Sequence, residues 1–228
     1  KLLCMGPGLV SAAAIIDYEL TLGLPPRTTA DTGLDALTHA IEAHVSRKAN
    51  PFCDQQALAA MRLIGPNLES VYTEPQNRPA REAVMLGATL AGIAFSGASV
   101  ALVHGMSRPI GAHFHVPHGL SNAMLLATVT EFSLAAAPER YAACSRVIGF
   151  ADAGDDEAAA HAKLMAGLNR VVTALEVPTL SGFGIERARY FEMIPVMVEQ
   201  ALASGSPGNN PRVPTVAELA GLYEAVWG

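Results

Sequence analysis

Apolar residues recur every three to four positions along most of this chain, which is the spacing of one buried face of an α-helix. The segment from Ala30 to Ser46 is the clearest case, because Leu34, Leu37, Ile41 and Val45 fall on one face. The same spacing, interrupted by turn-forming residues, predicts further helices at Cys53 to Tyr72, Pro79 to Phe95, Val100 to Phe114, Leu120 to Phe132, Pro138 to Ile148, Asp155 to Leu175, Ile185 to Ala203 and Thr215 to Val226. The pattern predicts a mainly α-helical protein.

The beginning of the chain departs from this spacing. Ala12 to Ile16 is a short apolar run followed by Asp17, which is typical of a buried strand that ends in a turn. Residues 20–28 then supply the glycine and prolines of a connection. We therefore expect one all-helical domain over residues 26–228, preceded over residues 1–25 by a strand and a linker.

Composition excludes several classes of protein. With 50% hydrophobic and 16% charged residues, the 228-residue chain can form a large core and is not expected to be disordered. Its 15 Lys and Arg against 21 Asp and Glu give a net charge of −6, which offers nucleic acid no basic surface. The three scattered cysteines do not form a disulfide framework, so we expect a cytoplasmic protein.

One stretch is long and apolar enough to be tested as a membrane span. Ala83 to Val103 carries no charge, but glycines dilute it and Ser96-Gly97 resembles a break between two helices. We expect two packed core helices and no membrane association. The first ten residues lack a signal-peptide cleavage region. Because they also lack an initiating Met, we expect the chain to begin inside a longer polypeptide.

A carboxylate and an imidazole share one face of the first predicted helix. Asp35 and His39 are four residues apart, so their side chains lie one turn from each other. They lie near the apolar face, where a buried polar pair needs a partner or a metal. Ordinary hydrogen-bonded pairs have the same spacing, so this alternative stays open.

Four of the seven histidines fall within fifteen positions: His104, His113, His115 and His118. His104 lies in a strongly apolar helix, and Pro117 ends that helix, so a turn could bring His118 back towards His104. Backbone carbonyls accept hydrogen bonds from many buried histidines, so a purely structural role is the alternative for both His104 and His118. We expect His113 and His115 at the rim of a pocket.

A site formed by one carboxylate oxygen and three imidazole nitrogens suits Fe, Zn, Mn or Ni, whereas Ca and Mg prefer oxygen. A hydrolase that activates water at such a site is a weaker alternative, because no second carboxylate is found near the His-Gly-Met segment. We expect His44 and His161 on the surface, and Cys53 as a small packed side chain.

Two segments are similar to a known family. TADTGLDALTHAIEAHVS and ALVHGMSRPIGAHFHVPHGLSNAMLL resemble the iron-containing (group III) alcohol dehydrogenases, and DYELTLGLPP and NPR support the match, which covers nearly the whole chain. The resemblance implies an all-helical bundle, shared in outline with dehydroquinate synthases and glycerol dehydrogenases. It also implies the metal ligands Asp35, His39, His104 and His118.

The resemblance implies an NAD(P)-dependent enzyme that oxidises an alcohol or reduces an aldehyde or ketone by hydride transfer, with Fe²⁺, or Zn²⁺, Mn²⁺ or Ni²⁺, polarising the substrate oxygen. The expected substrate is a small alcohol or carbonyl compound. The expected assembly is a homo-oligomer, with a dimer as the first candidate. A complete family member has a nucleotide-binding domain with a GGGS-type loop, which is not in this sequence. We therefore expect the metal half of such an enzyme, with residues 1–25 as a remnant of the nucleotide-binding domain and a linker, and with Tyr18 and Thr21 at the edge of the cofactor. No catalytic residue is assigned.

The sequence also departs from the family at Arg108, where many members carry a histidine thought to sit beside the nicotinamide and the substrate. We expect Arg108 to pair with a carboxylate-bearing substrate, with Glu42 or with another acid. The missing glycine loop leaves open a different class of function, namely a stand-alone metal-binding or pseudo-enzyme domain that pairs with partner helices and catalyses nothing.

Overall fold

The computed structural model describes residue 8 and residues 11–228 of the chain. Within them the mainly helical fold that the sequence predicts is confirmed. The helices are α1 (Pro26–Val45), α2 (Pro51–Ile64), α3 (Leu68–Thr73), α4 (Arg78–Ala98), α5 (Leu102–Phe114), α6 (His118–Ser133), α7 (Pro138–Ile148), α8 (Glu157–Ala174), α9 (Arg187–Ala203) and α10 (Val216–Ala225). Short 3₁₀ turns lie at Tyr18–Thr21, Gly65–Asn67, Leu134–Ala136 and Ser206–Asn209.

Helix α1 lies in the centre of the core. It packs against α2, α4 and α6, and its apolar face, which includes Leu34, Leu37 and Ile41, is buried as predicted. Burying a side chain of this size stabilises the fold by roughly 1.5–3 kcal/mol. The central position of α1 means that a polar residue on its buried face meets other helices rather than water.

The segment predicted as one helix from Cys53 to Tyr72 forms α2 and α3, with a 3₁₀ turn between them. At this turn a Cβ on Gly65 would lie 2.8 Å from the backbone oxygen of Ile148, so the chain approaches the end of α7 closely. Helix α2 also begins before the predicted residue. The side chain of Asn50 accepts a hydrogen bond from the Cys53 N–H at 3.1 Å, and a proline occupies the first turn, as is typical of helix N-termini.

The predicted strand at Ala12 to Ile16 is wrong. These residues have no strand pairing and are exposed, with Ile15 94% exposed. A strand needs a neighbour to share its backbone hydrogen bonds, and residues 11–228 contain no other strand. Residues 1–7, 9 and 10 of the predicted N-terminal segment lie outside the described residues. The division at residues 25 and 26 stays a prediction, although α1 begins at Pro26.

The uncharged stretch over residues 83–103 forms the end of α4 and the beginning of α5, which are bent by 104°. The break lies at Ser99, where φ is 64°, three residues after the predicted Ser96-Gly97 break. Ala91, Ala94 and Ala98 of α4 are fully buried, in agreement with the predicted pair of core helices. In the part of the chain that the structure describes, no single helix has the length and apolarity of a membrane span, and only the bent pair α4 and α5 reaches them jointly.

The beginning of α6 lies directly against α1. A Cβ on Gly119 would lie 2.8 Å from the carbonyl carbon of Asp31 and 3.3 Å from Cβ of Asp35. Backbone atoms of a central helix cannot rotate away from such a contact. Glycine at this position therefore allows the approach that brings the first residue of α6 beside Asp35.

We predict that Gly119→Ala lowers the free energy of unfolding by about 1–3 kcal/mol, because the added methyl group forces α6 away from α1. Gly92→Ala in α4 is the matched control, since a Cβ there has no neighbouring atom within 4 Å. The control should raise stability by about 1 kcal/mol through helix propensity. Urea unfolding of both variants measures the difference. Equal stabilities would contradict the close approach of the two helices.

Candidate metal centre

One stripe of α1 supplies three polar side chains to the interior. Asp35, His39 and Glu42 follow one another at intervals of four and three residues, so they lie on one face of the helix. The imidazole of His39 is fixed by stacking on the ring of Phe95 from α4, with ring centroids 4.3 Å apart and an angle of 19° between the planes.

Glu42 joins α1 to the beginning of α5. Its carboxylate accepts hydrogen bonds from the N–H groups of Ala101 at 2.9 Å and Val103 at 2.6 Å, and from Nδ1 of His104 at 2.7 Å. Ala101 is the N-cap of α5 and has no side chain that could cap the helix. A carboxylate at a helix N-terminus satisfies free N–H groups and interacts favourably with the helix dipole. Glu42 therefore takes the place of the N-cap side chain and also orients His104.

The other histidine comes from the beginning of α6. Pro117 precedes the helix as its N-cap, and His118 is the first helical residue. The turn predicted at Pro117 therefore exists and brings His118 back beside His104, with ring centroids 5.3 Å apart.

The structure brings together Asp35, His39, His104 and His118, the four residues that the family resemblance implies as metal ligands, and their role as ligands stays a prediction. One ligand-type atom from each lies within 4.8 Å of the corresponding atoms of the others. From Oδ1 of Asp35, the distances are 3.7 Å to Nδ1 of His39, 3.4 Å to Nε2 of His104 and 3.9 Å to Nε2 of His118. We call these four residues the cluster.

The surroundings of the cluster favour an anionic Asp35 and a neutral His39. Burial by itself would raise the pKa of Asp35, but a hydrogen bond from His104 and the three nearby imidazoles outweigh it and hold the pKa well below its usual range. Burial, reinforced by the neighbouring His104, lowers the pKa of His39 to about 4. These are the protonation states in which a carboxylate and an imidazole bind metal.

His104 has the opposite shift. Burial disfavours its charged form, but the carboxylates of Glu42 and Asp35 outweigh burial and raise the pKa of His104 to about 9. Because Nδ1 donates to Glu42, Nε2 is the nitrogen that faces Asp35 and the other histidines. A cation bound among them would displace the Nε2 proton.

Asn122 completes the inner layer. It lies four residues after His118 on α6, and its Nδ2 donates to Oδ1 of Asp35 at 2.6 Å. The same nitrogen lies 3.1 Å from Nε2 of His104 and 3.4 Å from Nε2 of His118. Three proposed ligand atoms, Oδ1 of Asp35 and Nε2 of each of these two histidines, thus face one point from different sides. This is the environment that a cation requires.

The cluster lies at the side of a cavity of about 550 Å³ whose walls include Ser107, Arg108, Val116, His118 and Gln200. The side chain of His118 is 28% exposed and that of His104 only 3%, so the cluster is open on the His118 side and closed behind His104.

Both histidines predicted at the rim lie near the end of α5. Nε2 of His113 lies 2.9 Å from Oε1 of Gln200, a residue of the cavity wall. His115 is exposed and ends α5 with a φ of 57°. The expected pair of Arg108 with Glu42 is wrong, because Glu42 is already bonded to His104 and the two N–H groups of α5.

The residues predicted to contact the cofactor lie elsewhere. Tyr18 and Thr21 form the ends of a 3₁₀ turn before α1, in which the Thr21 hydroxyl donates to the Tyr18 carbonyl at 2.7 Å. Thr21 lines a second, smaller cavity with Thr29 and Arg81. Their role at a cofactor stays a prediction.

The prediction that His44 lies on the surface is wrong. This residue is 5% exposed, because Asp54 lies 2.9 Å from its Nδ1 and Arg140 binds both Asp54 and the His44 carbonyl. His161 is partly buried against the carbonyl of Pro138. Cys53 is a buried, packed side chain as expected.

Sequence reasoning missed two members of the site. Glu42 lies on the same face of α1 as Asp35 and His39, three residues after His39. Asn122 follows His118 by one helical turn. Both therefore had a helical-spacing signal. Their partners on other helices depend on the packing of α1, α5 and α6, which the spacing does not give.

Comparison with known proteins agrees with this architecture. The profile of the "Fe-containing alcohol dehydrogenase family, C-terminal" matches residues 29–227. The 1,3-propanediol dehydrogenase of Klebsiella pneumoniae is 36% identical over 213 residues, which are 93% of this chain and 54% of that relative. The NADPH-dependent butanol dehydrogenase of Clostridium saccharobutylicum is 35% identical over 216 residues, covering 94% of this chain and 54% of the relative.

A solved structure described as 1,3-propanediol oxidoreductase superposes with a TM-score of 0.87 at 36% identity, over 92% of this chain and 54% of that one. The chain thus spans about half the length of the relatives it matches. Because the family profile matches almost the whole described helical region, the chain belongs to the iron-containing alcohol dehydrogenase family and corresponds to its C-terminal part.

Proposed function

We propose that this chain is the metal-binding half of an NAD(P)-dependent alcohol dehydrogenase, which interconverts a small alcohol and its aldehyde or ketone by hydride transfer. The observation that supports this most directly is the convergence of one carboxylate and three imidazoles within 4.8 Å beside a cavity. Membership of the family supports the same reaction class.

The cluster fits a divalent transition metal. Ligands about 2.1 Å from a tetrahedral ion lie about 3.4 Å from one another. The distances of 3.4, 3.7 and 3.9 Å from Asp35 Oδ1 are at or slightly above this separation. Nitrogen-rich ligands favour Fe²⁺, Zn²⁺, Mn²⁺ or Ni²⁺ over Ca²⁺ or Mg²⁺. The two carboxylates of Asp35 and Glu42 together balance the charge of such an ion, which lowers the cost of burying it.

When bound, the metal supplies a Lewis acid that lowers the pKa of an alcohol or polarises a carbonyl group. The chain itself holds the ligands in place. Glu42 fixes the tautomer and orientation of His104, Phe95 fixes His39, and Asn122 donates to Asp35. Outer partners of this kind keep a site preorganised. The cavity beside His118 admits the substrate, while the packed side behind His104 excludes water.

A nicotinamide cofactor would supply the hydride chemistry when bound, and it would be held mainly by a part of the polypeptide outside this chain. Tyr18 and Thr21 are proposed at its edge. The buried free thiols of Cys53 and Cys144 are compatible with the cytoplasmic location that we propose. The homodimer stays a prediction.

A stand-alone metal-binding domain without catalysis is the alternative hypothesis. The cavity beside the cluster and the match of more than nine tenths of the chain to dehydrogenases favour the first. Combining this chain with a nucleotide-binding half and measuring aldehyde reduction by NAD(P)H would distinguish the two hypotheses, because only the dehydrogenase half would give activity.

We predict that the chain binds one divalent ion and that Asp35→Ala, His39→Ala and His118→Ala each weaken its affinity by more than about 100-fold, since loss of an outer partner already costs 10–100-fold. His104→Ala should weaken the metal affinity to a similar extent, because each of these four substitutions leaves three of the four ligands. His161→Ala, outside the cluster, is the control and should bind as the parent does. Dialysis against a competing chelator followed by elemental analysis measures bound metal. Unchanged metal content in the cluster variants would refute the ligand assignment.

Glu42→Gln should weaken metal binding by about 10–100-fold, because the amide no longer holds His104 with a charged hydrogen bond. If Glu42 acts through His104, the same substitution in a His104→Ala background should cause little further loss of metal affinity. Its loss of stability should persist in both backgrounds, because the N–H groups of Ala101 and Val103 remain.

The matched control for this cycle is Asp54→Asn. Asp54 holds His44 through Nδ1 at 2.9 Å, as Glu42 holds His104, but it lies outside the cluster. We expect this control to lose stability and keep its metal affinity. Additive effects of Glu42→Gln and His104→Ala on metal affinity would show that Glu42 does not act through His104.

A further inference from the structure

We propose that Arg108 binds an anionic group of the substrate, so that the preferred substrates are short alcohols or aldehydes carrying a carboxylate or sulfonate. The proposal rests on the proposed function, because it takes the cluster as the end of the cavity that receives the hydroxyl or carbonyl group. It adds the chemical class of the remainder of the substrate.

The position of Arg108 supports this assignment. It lies four residues after His104, on the same face of α5, and four residues of helix rise by about 6 Å. Arg108 and His118 both line the cavity of about 550 Å³. A ligand whose hydroxyl end lies at the cluster and whose other end lies a few bonds away therefore reaches the guanidinium.

The guanidinium has a fixed anchor. Its Nη1 donates to Oγ of Ser206 at 3.0 Å, and Ser206 is 5% exposed. The 3₁₀ turn that contains Ser206 packs directly on α5, because Gly105 has no Cβ and Pro207 occupies that space, 2.8 Å from where a Cβ would lie. One hydrogen bond orients Arg108, and other N–H groups of its fork remain for a ligand.

The electrostatics of the cavity favour an anion. Among the described residues that line it, Arg108 is the only Arg, Lys, Asp or Glu. Within residues 11–228 no carboxylate lies within ion-pair distance of Arg108. In the wall, Gln200 Oε1 can only accept, so His113 donates to it and the Gln200 amide N–H groups remain as further donors. An anion beside Arg108 therefore meets a positive charge and none of the carboxylates of the cluster, since only His118 of the cluster lines this cavity.

A phosphate of the nicotinamide dinucleotide offers the same kind of anionic oxygen as a substrate carboxylate. We assign the anion to the substrate, because the cavity lined by Arg108 also reaches His118. The test therefore compares both sources of the anion.

The test uses the Mn²⁺-loaded chain and two ligands that differ only at one end, 3-hydroxypropanoate and 1,3-propanediol. Their dissociation constants follow from the relaxation that bound Mn²⁺ induces in their protons. The parent should bind the hydroxy acid roughly tenfold more tightly than the diol. We expect no larger difference in affinity because Arg108 is exposed, and water weakens its interaction with an anion. Arg108→Gln should abolish this preference. Arg108→Lys should retain part of it, because it keeps the charge and loses the bidentate geometry.

Arg62→Gln on α2 replaces an exposed arginine outside the cavity and should behave as the parent. The proposal is wrong if the parent has no preference for the acid. It is also wrong if the preference survives in Arg108→Gln, because the metal alone would then bind the carboxylate. NAD⁺ and NADP⁺ are titrated into the same Mn²⁺-loaded chains, and the proposal is also wrong if Arg108→Gln weakens only their binding, which would assign the anion to the cofactor. Failure to bind Mn²⁺ in a manner sensitive to Asp35→Ala would instead contradict the proposed function.

Discussion

The candidate site depends on the hydrogen bonds that the buried carboxylate of Glu42 accepts at the beginning of α5. Glu42 is 3% exposed and accepts three hydrogen bonds of 2.6 to 2.9 Å, from two backbone N–H groups and from His104. A carboxylate buried to this extent without partners would cost several kcal/mol. The fold therefore holds α1 and α5 together at this point. The same contact places Nε2 of His104 beside Asp35, so the stability of the helix junction and the geometry of the cluster have one cause.

Part of this arrangement could be predicted from helical spacing. A separation of four residues is sufficient to place Asp35 and His39 on one face, and the apolar surroundings of His104 indicate burial. Pro117 correctly indicates a turn before α6. The helices themselves follow from the apolar pattern, since most of their energy comes from burying one face. What joins these pieces into one cluster was implied by the family resemblance rather than by spacing.

The remainder depends on contacts between residues far apart in the sequence. The sequence allows Glu42 as a partner of Arg108, yet Glu42 instead accepts hydrogen bonds from the free N–H groups at the beginning of α5. His44 has the sequence surroundings of a surface residue, and only the packing of α2 and α7 shows that Asp54 and Arg140 enclose it. The predicted strand at residues 12–16 has an apolar sequence but no partner strand in the described chain. In each case local pattern gives the character of a residue, and tertiary packing decides its partner.

The central claim is that one ion is bound by one carboxylate and three imidazoles. X-ray absorption spectroscopy of the Zn²⁺-loaded chain tests it most directly, because it reports the ligands around the metal without requiring activity. We expect a first shell of nitrogen and oxygen at about 2.0–2.2 Å, with the outer-shell scattering of three imidazole rings and no sulfur. A shell containing sulfur at about 2.3 Å, or one with fewer than three imidazoles, would contradict it.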